Sequence, residues 1–194
     1  IQKNIFQPAG MFHSFILNIY DTSKYLPSFG YNGRIYSLDY LDGVYGDKNV
    51  YTTCRDLLKY DEAIRNHILL NADSYEMAWQ PLVLDKHCRN NSEYYGLGWH
   101  IKKWFNGNKI VYHNGWWHGN NAVFQRLIQD TAVIIVTGNV FNLRIYEATY
   151  LANFFRQYYQ PHAEQLLDSV LPGEANGKAQ KSVYMAKATS SKKR

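Results

Sequence analysis

Lys109-Ile110-Val111-Tyr112-His113-Asn114-Gly115-Trp116 is the stretch on which the reading of the fold turns. Ile110, Tyr112 and Asn114 alternate with Val111, His113 and Gly115, the period-two pattern of a strand with two distinct faces. A His-x-Gly triplet closes it. Alone, such a triplet carries no information, and its neighbours supply the meaning. Asn106-Gly107, just ahead, is a strong hairpin signal because both residues tolerate the backbone of a tight turn. Before that turn, Leu97, Trp99 and Ile101 alternate with Gly98, His100 and Lys102, which predicts a partner strand from Tyr94 onward. Downstream, Ala122 to Gln129 predicts a third strand, turned by Asp130-Thr131 into Ala132–Val136. That last run is apolar on both faces, which predicts a central strand covered on both sides.

Helices are expected on either side of these strands. Thr53-Cys54-Arg55-Asp56 reads as a helix start, with Thr53 as cap and an acid three residues on. Leu57, Tyr60, Ile64 and Ile68 then mark one face at helical spacing. A shorter helix is expected from Ser74 to Gln80, stopped by Pro81. Leu143, Tyr146, Tyr150, Phe154 and Tyr158 predict a long amphipathic helix ending before Pro161. Residues 1–50 show little periodicity and read as a short helix end followed by long ordered loops. The pattern is α+β: an antiparallel sheet covered by a C-terminal helix, with a helical and loop cluster before it. Three regions follow: residues 1–92, helices and loops beside the candidate site; residues 93–160, the sheet and its helix; residues 161–194, an extension and basic tail.

Charge narrows the function classes. The 194 residues carry 21 Lys and Arg against 16 Asp and Glu, a formal charge of +5. Lys178, Lys181, Lys187, Lys192, Lys193 and Arg194 supply six of those positive charges, and no acid follows Glu174. The body therefore holds 15 basic against 16 acidic residues, a charge of −1, and offers nothing to nucleic acid. No apolar run approaches the ~20 residues that span a bilayer. Cys54 and Cys88 are too few for a disulfide framework and lack metal-ligand spacing; two buried thiols are expected, with a single bridge between them as the alternative. His100, His113 and His118 show neither an i,i+4 helical pair nor cysteine spacing, so no metal site is expected, and no cofactor.

In this order the segments resemble the C-terminal half of serine β-lactamase-like proteins: class C β-lactamases, D-alanyl-D-alanine carboxypeptidases and related esterases. Ile5-Phe6-Gln7-Pro8-Ala9-Gly10-Met11 is similar to the family's Pro-Leu-Gly-Met segment, with Ala9 in place of Leu. Gly46-Asp47-Lys48-Asn49-Val50-Tyr51-Thr52-Thr53-Cys54-Arg55-Asp56-Leu57 resembles its Gly-rich turn and helix start. Tyr95-Gly96-Leu97-Gly98-Trp99 and His113–Gly115 resemble the strand pair beside its active site, and Val136–Asn139 the strand ending in Thr/Leu-x-Asn. The family's Ser-x-x-Lys nucleophile and Tyr-x-Asn motif both precede the Pro-Leu-Gly-Met segment. Ser190-Ser191-Lys192-Lys193 matches the first as text but lies in a polar tail, and Tyr112-His113-Asn114 matches the second but lies on a strand already assigned. The expectation is a β-lactamase/transpeptidase-like fold whose N-terminal part lies upstream of Ile1, so that this chain alone is catalytically incomplete.

The resemblance implies roles for particular residues. His113 anchors a substrate carboxylate, its charge near neutrality being set by environment. Trp116 supplies one oxyanion amide through its backbone N–H, worth about 3 kcal/mol when well placed. Asn114, Gly115, Trp117 and His118 contact substrate, Gly115 by letting it lie close to the strand. The implied reaction is acyl transfer on a β-lactam, a D-amino-acid peptide or an ester. The implied partners are that small-molecule or peptide substrate and the upstream segment of the same protein. The implied location is periplasmic or extracytoplasmic. The alternatives are a non-catalytic binding protein that keeps the fold, and a structural domain of unrelated ancestry.

Overall fold

The computed structural model describes residues 1–46, 48–84, 93–104 and 106–158. Cys88, Pro161 and the basic tail fall outside them. Ile1–Arg156 form one compact unit. It opens with a wide helical turn, Gln2–Phe6, and short strands β1 (Phe15–Ile16) and β2 (Val50–Tyr51), which pair with each other. Helices α1 (Cys54–Arg65) and α2 (Ala72–Ala78) follow. A seven-stranded sheet comes next: β3 (Val83–Leu84), β4 (Glu93–Tyr95), β5 (His100–Lys103), β6 (Lys109–Tyr112), β7 (Gly115–Trp117), β8 (Asn120–Leu127) and β9 (Ala132–Gly138). A 3₁₀ helix, Leu143–Phe154, ends the described chain's regular structure.

Every pairing in the large sheet is antiparallel. β3, β4, β5 and β6 follow in order, β6 and β7 both pair with β8, and β9 lies on β8's other side. β6 and β7 share one register against β8: Tyr112 faces Gln125 and Gly115 faces Ala122. The expected strand from Lys109 to Trp116 is thus continuous in register, with only His113 and Asn114 outside its ladder. Asn106-Gly107 makes the β5–β6 turn, with Gly107 at φ 84.

Register also assigns the faces. Ala122, Phe124 and Arg126 on β8 share a face with Thr137 on β9, and α1 lies on it. Arg126 Nε donates to Asp61 at 2.5 Å, the Tyr60 and Phe124 rings sit 5.9 Å apart, and Cys54 Sγ lies 3.4 Å from Thr137 Oγ1. Asn121 and Gln125 point to the other face, where Tyr146 and Thr149 of the 3₁₀ helix meet them at 3.0 Å each. The sheet is therefore sandwiched between α1 and the C-terminal helix.

Four expectations need correction. The segment from Tyr94 is not one strand: the chain reverses at Gly96–Trp99 between β4 and β5. Gly96 N–H donates to Trp99 O at 2.8 Å, and a Cβ on Gly96 would sit 2.3 Å from Ala78 O. Only glycine fits there, and Gly98 takes a left-handed φ of 77. The apolar β9 is not central: among the described residues of the large sheet it pairs with β8 alone, although α1 and the 3₁₀ helix do cover its two faces. The C-terminal helix does not bury the expected stripe. With about three residues per turn, Tyr146, Thr149 and Ala152 line up on the sheet, while Phe154 is 86% exposed. Cys54 is exposed rather than buried.

Thr53 caps α1 as expected, its hydroxyl accepting from Asp56 N–H at 3.1 Å. The Asp56 carboxylate does something else: it accepts from His13 N–H and Ser14 Oγ, both at 2.8 Å. This ties the Pro8-Ala9-Gly10-Met11 segment to α1, where Phe6, Ala9 and Met11 bury against Ala63. Ile68 lies past the helix end and is exposed. Burial alone would raise the Asp56 pKa, but the hydrogen bonds from Ser14 and His13 outweigh it and hold the carboxyl below its ordinary value.

A folded-state pKa below the unfolded value of about 3.9 stabilises the protein fully above that value. The contribution disappears as pH falls through the lower folded value. Asp56→Asn should therefore cost about 1–3 kcal/mol at neutral pH, and the gap from wild type should close as pH drops below about 4. Denaturant titrations at pH 7 and pH 3 measure both; a gap that stays constant would show that the charge of Asp56 contributes nothing.

Candidate active site

The ladder fixes where the backbone of the His-x-Gly segment points. His113 N–H donates to Phe124 O at 3.0 Å, so His113 and Phe124 form a hydrogen-bonded pair. Pairs alternate along an antiparallel ladder. In the shared register Gly115 faces Ala122 as another hydrogen-bonded pair, and Trp116 faces Asn121 as a non-bonded one. The Trp116 N–H is consequently aimed away from β8, toward the outer border of β7. Gly115 carries no side chain to cover this border, and its carbonyl also accepts from Tyr146 Oη at 2.9 Å. The structure brings His113, Gly115 and Trp116 onto one exposed rim.

His113 is exposed and held at both nitrogens. Nδ1 lies 2.8 Å from Asn114 O and Nε2 3.4 Å from Tyr95 Oη. The ring also meets His100, centroids 5.4 Å apart, and His100 lies edge-on to Tyr95 at 4.6 Å. Tyr95 is the first residue of the Tyr-Gly-Leu-Gly-Trp motif, and the turn at Gly96 is what aims it at His113. The sequence reading singled out the motif but not its tyrosine. The Asn114 side chain is half-buried, with Oδ1 buried and without a hydrogen-bond partner.

Trp117 and His118 sit at the β7–β8 hairpin, with His118 at a left-handed φ of 52. Their polar atoms are directed into the protein. Trp117 Nε1 donates to Asp42 Oδ1 at 2.7 Å, and His118 Nε2 lies 3.4 Å from Asp42 Oδ2. Tyr36 stacks on the His118 ring and Lys48 Nζ lies 4.2 Å from the Trp117 ring centroid. Gly119 completes the docking: a Cβ there would meet Phe29 O at 2.2 Å, and its N–H donates to Ser28 Oγ at 3.1 Å. Asp42 was missed by sequence reading because it lies on a single 3₁₀ turn, Tyr40–Gly43, in a segment without periodicity. Its signal was the Asp39-Tyr40-Leu41-Asp42 spacing of a capping box, which the structure forms.

Ligand atoms of Asp39, Asp42 and His118 lie within 4.8 Å of one another, the one such cluster among the described residues. Asp42 already accepts from Trp117 and from Asp39 N–H, so the cluster serves as a clamp between loop and hairpin. His118 is engaged here, apart from the His100–His113 pair. A shallow cavity of about 590 Å³ opens on the far side of β8, lined by Thr137, Asn139, Asn142, Arg144 and Glu147 among others; His113 is not part of it.

Comparison with known proteins places the fold. The chain is 28% identical over 158 residues to penicillin-binding protein 4* of Bacillus subtilis (strain 168), a match covering 72% of this chain and 34% of that protein. The solved penicillin-binding protein from Bacillus halodurans superposes with a TM-score of 0.62 at 21% identity, covering 79% of this chain and 48% of that one. D-amino acid amidase from Ochrobactrum anthropi SV3, complexed with D-phenylalanine, gives a TM-score of 0.59 at 14% identity, covering 78% and 52%. No family model matches the chain. The chain thus spans about a third of that curated relative and about half of those two solved structures. It is similar in sequence to a penicillin-binding protein and has the α+β fold of solved penicillin-binding proteins. No described helix is long and apolar enough to cross a membrane.

The Asp42 clamp yields a test. In a double-mutant cycle, Asp42→Ala and Trp117→Phe should show a coupling of about 1–2 kcal/mol, because the indole N–H donates to a buried carboxylate. Additive losses in denaturant titration would mean that the bond contributes nothing to holding the hairpin.

Proposed function

We propose that this chain supplies one wall of the active site of a penicillin-recognising serine hydrolase. The direction of the Trp116 N–H, beside His113 on a solvent-exposed rim, is the observation that carries this reading. In the reaction a serine Oγ from outside this wall attacks an amide or ester carbonyl carbon. The carbonyl π pair moves onto oxygen, and the oxyanion accepts from Trp116 N–H. Collapse expels the amine or alkoxide, which takes up the proton released by the serine. Water then attacks the acyl-enzyme ester and releases the acid. His113 holds the substrate carboxylate, and Asn114 and Gly115 line its path. Trp117 and His118 shape the rim through their tie to Asp42. The substrate is a lactam, a D-amino-acid peptide or an ester, met outside the cytoplasm.

Two measurements test the reading. The 194-residue chain alone should form no covalent adduct with a fluorescent penicillin, because the nucleophile is not among the residues that build this wall. A labelled band surviving denaturation would place the nucleophile within it. In a chain that also carries the serine-bearing part of the fold, His113→Ala should lower acylation of carboxylate-bearing substrates about 10- to 150-fold, the size of one charge-assisted hydrogen bond, and affect a neutral ester far less. No loss on either substrate, with the fold intact, would reduce His113 to a structural residue. An intact longer protein that binds such ligands without turnover would favour a non-catalytic binding protein on the same fold.

A further inference from the structure

His113 as placed cannot hold an anion while neutral. A carbonyl oxygen only accepts, so the 2.8 Å contact of Nδ1 with Asn114 O requires the proton on Nδ1. A neutral imidazole carries one N–H, so Nε2 then presents a lone pair. The group facing Nε2 is the Tyr95 hydroxyl, 3.4 Å away, which must donate to it. Both ends of the neutral ring are thereby engaged, and neither N–H nor O–H remains for a ligand carboxylate.

Protonation reverses the second contact. The imidazolium carries N–H at both nitrogens, Nε2–H donates to Tyr95 Oη, and the phenolic hydrogen is turned outward. We propose that Tyr95 and His113 form one charge-selecting unit, in which protonated His113 turns the Tyr95 O–H toward the ligand and makes the rim an anchor for carboxylates. With His113 neutral the same rim favours uncharged ligands. Tyr95 is then a specificity-determining residue, and His113 acts on the ligand through its charge and through the Tyr95 O–H. The proton comes from solvent, to which His113 is exposed. Among the described residues, the titratable groups in ring contact with His113 are Tyr95 from β4 and His100 from β5, and β8 presents the apolar Phe124 across the ladder. The inference rests on the reading of His113 as the carboxylate anchor, and its test needs no turnover.

The test uses the full chain with ¹⁵N-labelled histidine and acetate as the probe. Neutral His113 should give the signals of the Nδ1–H tautomer, and Tyr95→Phe should move population toward Nε2–H. Acetate, followed on the His113 signals, should bind at least about tenfold more tightly at pH 5.5 than at pH 8, and Tyr95→Phe should weaken the acid-side binding about tenfold. His100→Gln should keep this pH step and His113→Gln should abolish it. Three results would each overturn the proposal: an Nε2–H tautomer in the wild type, acetate binding indifferent to pH or to Tyr95→Phe, or a pH step that follows His100. Failure of the serine-hydrolase reading would show separately, as absence of ester turnover in a chain that also carries the serine-bearing part of the fold, with the acetate response intact.

Discussion

Strand β8 is the member on which the other parts of the structure depend. It is hydrogen-bonded along both edges, to β6 and β7 on one side and to β9 on the other. Its two faces carry different chemistry: Phe124 and Arg126 meet α1, and Asn121 and Gln125 meet the C-terminal helix. Val123 and Leu127 are fully buried. A strand held on four sides has no freedom to slide, since a one-residue slip would exchange its faces. The direction of the Trp116 N–H and the placement of His113 are consequences of that fixed register.

Three buried carboxylates fasten the less regular parts to this frame. Asp61 joins α1 to β8 through Arg126, with Arg65 as a second partner. Asp56 joins α1 to the segment at His13 and Ser14, and Asp42 joins the long loop to the β7–β8 hairpin. Asp42 sits where apolar periodicity is weak, and Asp56 and Asp61 add directional polar contacts on the buried side of α1. Such ties are strongly one-sided in energy: losing a donor leaves a buried charge uncompensated, which costs far more than the intact pair contributes.

Local signals in the sequence were dependable where one residue type has one physical reason to be present. Asn106-Gly107 marked its turn, Thr53 its cap, and the alternation from Ile110 to Gly115 its strand. Periodicity misled where the backbone departed from the assumed repeat. The alternation across Leu97, Trp99 and Ile101 is real, but Gly96 and Gly98 allow the chain to reverse within it. The stripe from Leu143 to Phe154 presumes 3.6 residues per turn, and a helix wound more tightly brings Tyr146, Thr149 and Ala152 to the sheet instead. The apolar composition of β9 reflects helices on its two faces, and composition says nothing of which edge is paired. At the candidate site, the His-x-Gly segment was readable from order and spacing. Tyr95 and Asp42 were not, because each acts through a contact with a residue distant in sequence.

The unbroken register from Lys109 to Trp117 has a consequence for how such a sequence can drift. Substitutions along it change a side chain and leave the frame in place. A single-codon insertion or deletion between Tyr112 and Gly115 would reverse the inside and outside of everything beyond it, moving Trp117 off Asp42 and turning the Trp116 amide into the ladder. Length between the turn at Gly107 and the hairpin at His118 is therefore set by the register, whereas the loops on either side can change length without turning a strand over.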